Sequence, residues 1–432
     1  MASTLEVYLL TFNCARQPVS PPAFSPHFFN ALPLDARLPD VIAISLQEIA
    51  PIAESFLGGS YLKNYHVLIE ESFRAAAKGR GEEQYELLYT NNVGMTALMV
   101  FVSERIQDRV SWLETGLVGV GLWEMGNKGA VGARLGLSTS TDGEEEATLT
   151  FVAAHLAPFE SNIQRRNEDW ANIVRNLVFT RSPSSSGVLG KRKRGENGYG
   201  EEQTEPLLSE GSGSRGSGKG IYNSGPVFFL GDLNYRTSSL APHPGDHRNY
   251  PQPTASPDDP NHIANWLKND QLTIEREAGR VLHGFNEMPI KFPPTYKYSD
   301  TPKLAAESGD RGEEPERWLW ATHRVPSWCD RILWWSPYGG IEAQHYVSLP
   351  VQPTSDHRPV ALAATVALRP SSQSGDAPFP LNAGWEAKRA AARRREIMVG
   401  VGAWGLFTTE GRVCLLLPMV LALLGYLVFS GR

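Results

Sequence analysis

Cysteine is scarce in this chain. Its 432 residues hold three, Cys14, Cys329 and Cys414, too far apart for a disulfide framework or a cysteine-based zinc site. That usage points to a reducing compartment. Excess basic charge is also missing: the formal net charge is −6, which sets aside a general nucleic-acid binder. The opening residues MASTLEVYLLTFN contain no basic region and only a short apolar run, so no secretory leader is expected there. Neither a Walker-type phosphate loop nor a G-x-S-x-G elbow occurs, which removes P-loop and nucleophile-elbow chemistry.

Long charge-free runs are rare as well, with one exception near the C-terminus. Residues 413–429 (VCLLLPMVLALLGYLVF) carry no charge. As a helix this run spans about 26 Å at 1.5 Å per residue, slightly under a bilayer core. Lys388, Arg389, Arg393, Arg394 and Arg395 lie upstream, the cytosolic signature of the positive-inside rule. The run is expected to be a transmembrane helix in an anchor over 399–432, after a basic linker over 369–398. A buried core helix is the bland alternative.

What the chain does have is a series of short apolar runs ending in polar residues. The central one is VFFLGDLNYR, residues 227–236. Val227–Leu230 reads as a strand buried on both faces. It breaks at Gly231 and presents Asp232, Asn234, Tyr235 and Arg236. Such a rim is where α/β folds build active sites, and equally where Asp and Asn make turns with their own backbone. EVYLLTFN ends in Asn13, DVIAISLQE in Glu48 and LTFVAAH in His155. Further strands are expected over 85–89, 94–102 (with a turn at Asn91-Asn92), 131–137, 331–335, 346–349 and 360–367. Residues 61–69 read as a helix end and a strand, 74–83 as a charged loop, 162–179 as an amphipathic helix, and 261–281 as mostly helical. A short helix is expected near 28–32. Residues 182–224 are Ser- and Gly-rich with a KRKR run, and read as a disordered insertion. One domain is expected over 1–368, built of two packed sheets flanked by helices.

Taken singly, the polar strand ends are weak signals. A lone Glu48 is usually a surface residue, a lone His155 a hydrogen-bonded structural one. Asp330 reads as an ion-pair partner and Asp356-His357 as a turn cap. Together they make a coherent kit. Asn13 and Glu48 offer hard oxygens suited to Mg²⁺. His155, Asp232, His357 and further carboxylates can move protons and orient a water. Lys128, Lys297, Arg236 and Arg324 can meet phosphate charge. The kit suits metal-assisted hydrolysis of a phosphate ester by direct attack of water.

The blocks GNKGAV (126–131), HL (155–156), GDLNYR (231–236), FPPTYK (292–297), PSWCDRIL (326–333) and SDHRPV (355–360) resemble those of the inositol polyphosphate 5-phosphatases, in that family's order. GDLN is shared with related nucleases and sphingomyelinases; PSWCDRIL with FPPTYK is highly specific. The resemblance implies a DNase I-like four-layer α-β-β-α sandwich, Mg²⁺ dependence and removal of a 5-phosphate from phosphoinositides or soluble inositol phosphates. By matching positions, it implies Glu48 and Asn13 as metal ligands and Asp232 as the group that orients or deprotonates water. Asn234 and His155 would bond the scissile phosphate. Asp330 would fix the ring of His357, with Asp356 in support. Tyr296, Lys297 and Arg324 would grip a neighbouring 4-phosphate, with Lys128 at the site mouth.

Two departures stand out. Thr11-Phe12-Asn13 replaces the usual T-W-N, and Thr322 stands where a second basic residue normally precedes Arg324. With the apolar tail, the resemblance implies a phosphatidylinositol 4,5-bisphosphate 5-phosphatase anchored in the endoplasmic reticulum membrane and facing the cytosol. No nucleic-acid partner and no obligate protein partner is expected. The competing classes are a phosphodiesterase on the same fold, opposed by PSWCDRIL and FPPTYK, and a catalytically dead phosphoinositide tether, opposed by the intact acid, amide and histidine set.

Overall fold

The structure is a computed structural model describing all residues except 1–2, 82, 140–144, 182–217, 224, 300, 302–303, 305, 307–314, 371–374 and 431–432. The expected insertion over 182–224 therefore lies almost wholly outside the described residues. The apolar runs form strands: β1 (Ser3–Asn13), β2 (Val41–Gln47), β3 (Tyr85–Val93), β4 (Thr96–Ser103), β5 (Val110–Gly119), β6 (Gly129–Ser138), β7 (Glu146–His155), β8 (Thr180–Arg181), β9 (Val227–Asp232), β10 (Asp330–Trp335), β11 (Ile341–Ser348) and β12 (Val360–Leu368). They make two six-stranded sheets, ordered β11-β12-β1-β2-β4-β3 and β10-β9-β7-β6-β5-β8.

Alternation along each central strand builds the layers, because successive side chains leave opposite faces. In β1, Leu5, Val7 and Leu9 enter the core between the sheets, where Phe228 and Leu230 of β9 meet them. Tyr8, Leu10 and Phe12 face outward, onto helices α1 (Pro21–Phe24) and α3 (Lys63–Lys78) and their loops; α2 (Ile52–Leu57) lies between these helices in the chain. On the far side, Val227 and Phe229 pack against Trp170, Ile173 and Val174 of α4 (Ile163–Asn176). The result is the expected helix–sheet–sheet–helix order.

Topology then gathers the strand ends. β1 and β2 run parallel, as do β7 and β9, whereas their neighbours run antiparallel. The C-terminal ends of all four parallel strands and the N-terminal ends of β6, β10 and β12 thus share one rim. Gly231 allows the closest strand approach, since a Cβ there would sit 1.8 Å from the Ala154 carbonyl oxygen. Gly126 and Gly94 do the same between sheets: a Cβ on Gly126 would meet the Gly94 nitrogen at 2.6 Å. The hairpin tip and the GNKGA loop therefore pack backbone to backbone.

Several local expectations are corrected. Residues 63–78 form one helix rather than strand and loop, burying His66, Ile69, Phe73 and Ala77 at helical spacing. The charges read as loop are its outer face, where Arg74 pairs with Glu70 one turn back at 2.7 Å. The hairpin turns at Gly94-Met95, not Asn91-Asn92, because Gly94 takes a φ of 51°. Strand β5 was not anticipated; its half-exposed, mixed sequence hides the alternation. The helical stretch over 261–281 is two short helices, α5 (Ile263–Leu267) and α6 (Gln271–Glu277), split where Asp270 caps the second by accepting from Thr273 N at 2.9 Å. The early helix lies at Pro21–Phe24 rather than 28–32, since Pro21 and Pro22 suit a first turn.

The C-terminal segment also differs. Where a linker is expected, α7 (Trp385–Phe407) forms, and α8 (Thr409–Ser430) follows it. Among the described residues no single helix is long and apolar enough to cross a membrane. The pair Trp385–Phe407 and Thr409–Leu423, bent by 84° at its junction, satisfies that criterion together.

Candidate active site

The shared rim brings together the residues that sequence blocks scatter across the chain. Register fixes this: Asp232 lies opposite Asp330 on β10 and His155 on β7, and His155 lies opposite Gly129, one residue after Lys128. Asn13 pairs with Gln47, one residue before Glu48, and Thr11 with Val360, three after His357.

Asp232 is the hub, and it is fully buried. Its Oδ2 accepts from Asn13 Nδ2 at 2.9 Å and lies 3.3 Å from His155 Nε2 and 4.0 Å from His357 Nε2. Its Oδ1 accepts from Asn234 N at 3.0 Å. The Asp–Asn turn of GDLN forms, and in forming it fixes the direction of the Asp232 carboxylate. Burial alone would raise this carboxyl, but at the low pH where it would take up a proton His155 is charged, and its hydrogen bond and charge, then His357 and Lys128, outweigh burial and hold Asp232 well below the usual range. Asp232 is an anion at neutral pH.

The two histidines differ in state. Burial and the Lys128 charge lower His155, against Asp232 and Glu48, so His155 is neutral. Burial also disfavours charge on His357, but Asp330, Asp232 and Asp356 outweigh it and push His357 up to about 9. Its Nδ1 meets Asp330 Oδ2 at 2.8 Å, which leaves Nε2–H facing Asp232. Tyr296 packs on the His357 ring with centroids 4.5 Å apart, and the Arg236 guanidinium sits 4.3 Å from the Tyr296 centroid.

Lys128 bridges the halves, with Nζ 2.7 Å from His155 Nε2 and 3.7 Å from Glu48 Oε1. Burial lowers its pKa, followed by the opposing pull of Glu48 and Asp232. Glu48 itself holds φ at 44°, a left-handed conformation uncommon for a residue other than glycine, and pairs with Arg16 at 3.1 Å. Glu48, Asn13 and Asp232 present hard oxygen donors from three strand ends, a set that fits Mg²⁺. Asp232, Asp330 and His357 also lie close enough to share an ion. The His357–Asp330 hydrogen bond already accounts for that proximity, so this group reads as proton machinery.

At the rim, Lys297 Nζ pairs with Asp356 Oδ2 at 2.6 Å, while Arg324 stacks 5.4 Å from the exposed Phe159 ring. Asp356 thus anchors Lys297, while its charge still acts on His357. Asn234 donates to the Leu156 carbonyl at 3.1 Å and its Oδ1 accepts from Arg236. Arg236 is buried with Nε and Nη1 unpartnered, two donors available to an anion. Sequence reasoning missed the hydroxyls beneath the site. Ser355 Oγ donates to Asn13 O at 2.6 Å and accepts from His357 N at 3.1 Å. Thr295 Oγ1 accepts from Cys329 N and Asp330 N at 3.1 and 3.2 Å. Lone hydroxyls carry no pattern in sequence; their neighbourhood to SDH and FPPT was the available signal.

Comparison with known proteins places this arrangement. The profile of endonuclease/exonuclease/phosphatase family 2 matches residues 10–363, a span that carries every residue of the rim. The chain belongs to that family. The motif-level resemblance is borne out by relatives. Type I inositol polyphosphate 5-phosphatase 4 of Arabidopsis thaliana is 31% identical over 289 residues, 66% of this chain and 42% of that protein. A probable inositol polyphosphate 5-phosphatase of Schizosaccharomyces pombe is 28% identical over 348 residues, 76% of this chain and 25% of that one. The chain thus spans less than half the length of either. Among solved structures, the inositol polyphosphate 5-phosphatase domain of SPsynaptojanin, in complex with inositol (1,4)-bisphosphate and calcium ion, superposes with a TM-score of 0.59 at 21% identity. It covers 92% of this family member and 91% of that domain, which establishes the DNase I-like sandwich. Cimex nitrophorin in its ferrous NO complex shares the fold at a TM-score of 0.50 and 19% identity, covering 84% of this chain and 99% of that one. The sandwich alone therefore does not decide chemistry; the rim does.

Proposed function

We propose that this chain is a phosphoric monoester hydrolase that removes the 5-phosphate of phosphatidylinositol 4,5-bisphosphate. The observation that carries the reading is the convergence of Asn13, Glu48, Lys128, His155, Asp232, Asp330 and His357 at one sheet rim, together with relatives named inositol polyphosphate 5-phosphatases. Water is the nucleophile: its oxygen bonds to phosphorus, the bond from phosphorus to the inositol oxygen breaks, and one of the water's protons ends on that oxygen, giving the inositol alcohol and inorganic phosphate. Asp232 orients the water. A carboxylate held so low is a weak base, so orientation is the larger part of its role. Protonated His357, braced by Asp330, donates from Nε2 toward charge growing on the phosphate. Asn234 and Arg236 hold phosphate oxygens, and neutral His155 keeps Lys128 beside them.

Glu48 and Asn13 would hold Mg²⁺, which supplies Lewis-acid stabilisation of phosphate charge. Glu48→Gln is expected to raise the Mg²⁺ concentration for half-maximal binding about tenfold, read by isothermal titration with Mg²⁺. Unchanged binding would remove Glu48 from the metal site.

Lys297, Tyr296 and Arg324 form the edge facing the rest of the headgroup. Lys297→Ala is expected to raise KM about tenfold for a substrate carrying a 4-phosphate and to leave one lacking it unchanged. Equal effects on both would mean that Lys297 serves the site generally.

The tail supports attachment to a membrane, with the catalytic side in the cytosol and the endoplasmic reticulum as the membrane a short anchor suits. Helix α8 leaves Val413, Leu415, Leu416, Leu417 and Leu421 exposed, and basic residues precede it. One incubation with liposomes containing phosphatidylinositol 4,5-bisphosphate tests the proposal. The intact chain is expected to float with the vesicles and leave phosphatidylinositol 4-phosphate as product. A different product contradicts the positional assignment; a chain left in the aqueous phase contradicts the anchor.

A further inference from the structure

Helix α7 is tied to the catalytic domain through charged side chains. Glu396 is fully buried, and its carboxylate accepts from Gly126 N at 2.8 Å and from Arg389 Nη1 at 2.9 Å. Arg393 donates to the carbonyls of Phe56 and Leu57, at the end of α2, where helix carbonyls lack intrahelical partners. Gly400 permits the contact, since a Cβ there would meet Phe56 Cβ at 3.1 Å. Arg395 donates to the Trp123 carbonyl at 2.8 Å, and Lys388 meets Glu124 at 3.1 Å.

These anchor points lie on the segments that follow Glu48 and precede Lys128 in the chain. Helix α2 begins just after Glu48, and the turn over 121–128 ends in Lys128. Gly126 links them, because its carbonyl accepts from Met95 N at 2.9 Å and the Met95 carbonyl accepts from Ile49 N at 3.3 Å. Ile49 follows Glu48 directly. A chain of hydrogen bonds, the first to the Glu396 carboxylate and the next two between backbone groups, therefore runs through Gly126 and Met95 to the residue beside Glu48.

We propose that Glu396 is a positioning residue for the reaction, holding the Gly126–Lys128 turn so that Lys128 meets His155 and Glu48. Helix α7 then makes the site depend on the segment that leads to the apolar tail. This rests on the hydrolytic reading above. A helix that merely packs would add stability and nothing more.

The full chain in detergent micelles, assayed on a soluble 5-phosphorylated inositol, separates the two. Glu396→Ala is expected to lower kcat about tenfold with KM held within about twofold, the signature of a group misplaced in the transition state. Lys128→Ala with Glu396→Ala is expected to be no slower than Lys128→Ala alone, because both act through one ammonium. Amide exchange over 121–128 is expected to quicken while β7 and β9 stay protected. If Glu396→Ala does not fold, Arg395→Ala, an exposed contact to the same turn, is expected to show the same pattern at about two- to threefold. Unchanged kcat, multiplicative losses in the double variant, or unchanged exchange in the turn overturns the proposal. A wild-type chain that releases no phosphate would sink the hydrolytic reading instead, and exchange would still decide whether Glu396 holds the turn.

Discussion

Asp232→Asn is expected to lower kcat by roughly 10³–10⁴-fold and to leave KM within a few-fold. The substitution keeps shape and removes charge. Asp232 is the one carboxylate that Asn13, His155, His357 and the Asn234 amide all face. An amide there cannot orient water as an anion does, and it places an N–H against at least one of these donors. The fold should survive, because Asn can still accept from Asn13 Nδ2. Phosphate release, with circular dichroism as the folding control, checks this. A rate within tenfold of wild type would remove Asp232 from the reaction.

The second large effect is a shift in pH dependence. With Asp330 in place, His357 keeps its proton up to about 9. Asp330→Asn removes the strongest influence that raises it, so the alkaline limb of kcat is expected to move down toward the ordinary imidazole value of 6.5. At pH 8 the variant should lose about 10²-fold, and recover part of that loss near pH 6. Stability follows the same sign. A raised histidine stabilises the fold fully below its unfolded value of 6.5, and the contribution disappears as pH rises through about 9. Denaturation midpoints of the variant should therefore vary less across that window. An alkaline limb unchanged by Asp330→Asn would mean that His357 does not set it.

The strands were legible because buried runs such as VFFL and VIAISL are continuous, and because each ends abruptly in a polar residue. The convergence of those ends was legible only through the motif blocks; register supplies the physical reason. What escaped the sequence was charge used structurally. Residues 61–69 read as a helix end and a strand and 74–83 as a charged loop, because the charged outer face of Lys63–Lys78 masks its helical spacing. Helix α7 occupies much of the stretch read as a basic linker, and one of its basic residues, Arg389, is buried by pairing with Glu396. The resemblance put Asp356 in support of the site; its carboxylate pairs with Lys297, and its charge also helps to raise His357. Adjacent residues in a turn point different ways, and only coordinates resolve that.

The central claim is that one rim hydrolyses one kind of phosphate ester. The most direct measurement is product analysis with the intact chain, with Mg²⁺ and with chelator: inorganic phosphate from phosphoinositides and soluble inositol phosphates, strand scission of DNA, and phosphocholine from sphingomyelin. Release from 5-phosphorylated inositols alone, abolished by chelation, is the expected result. Cleavage of DNA or sphingomyelin, or release that ignores the position of the phosphate, would contradict it.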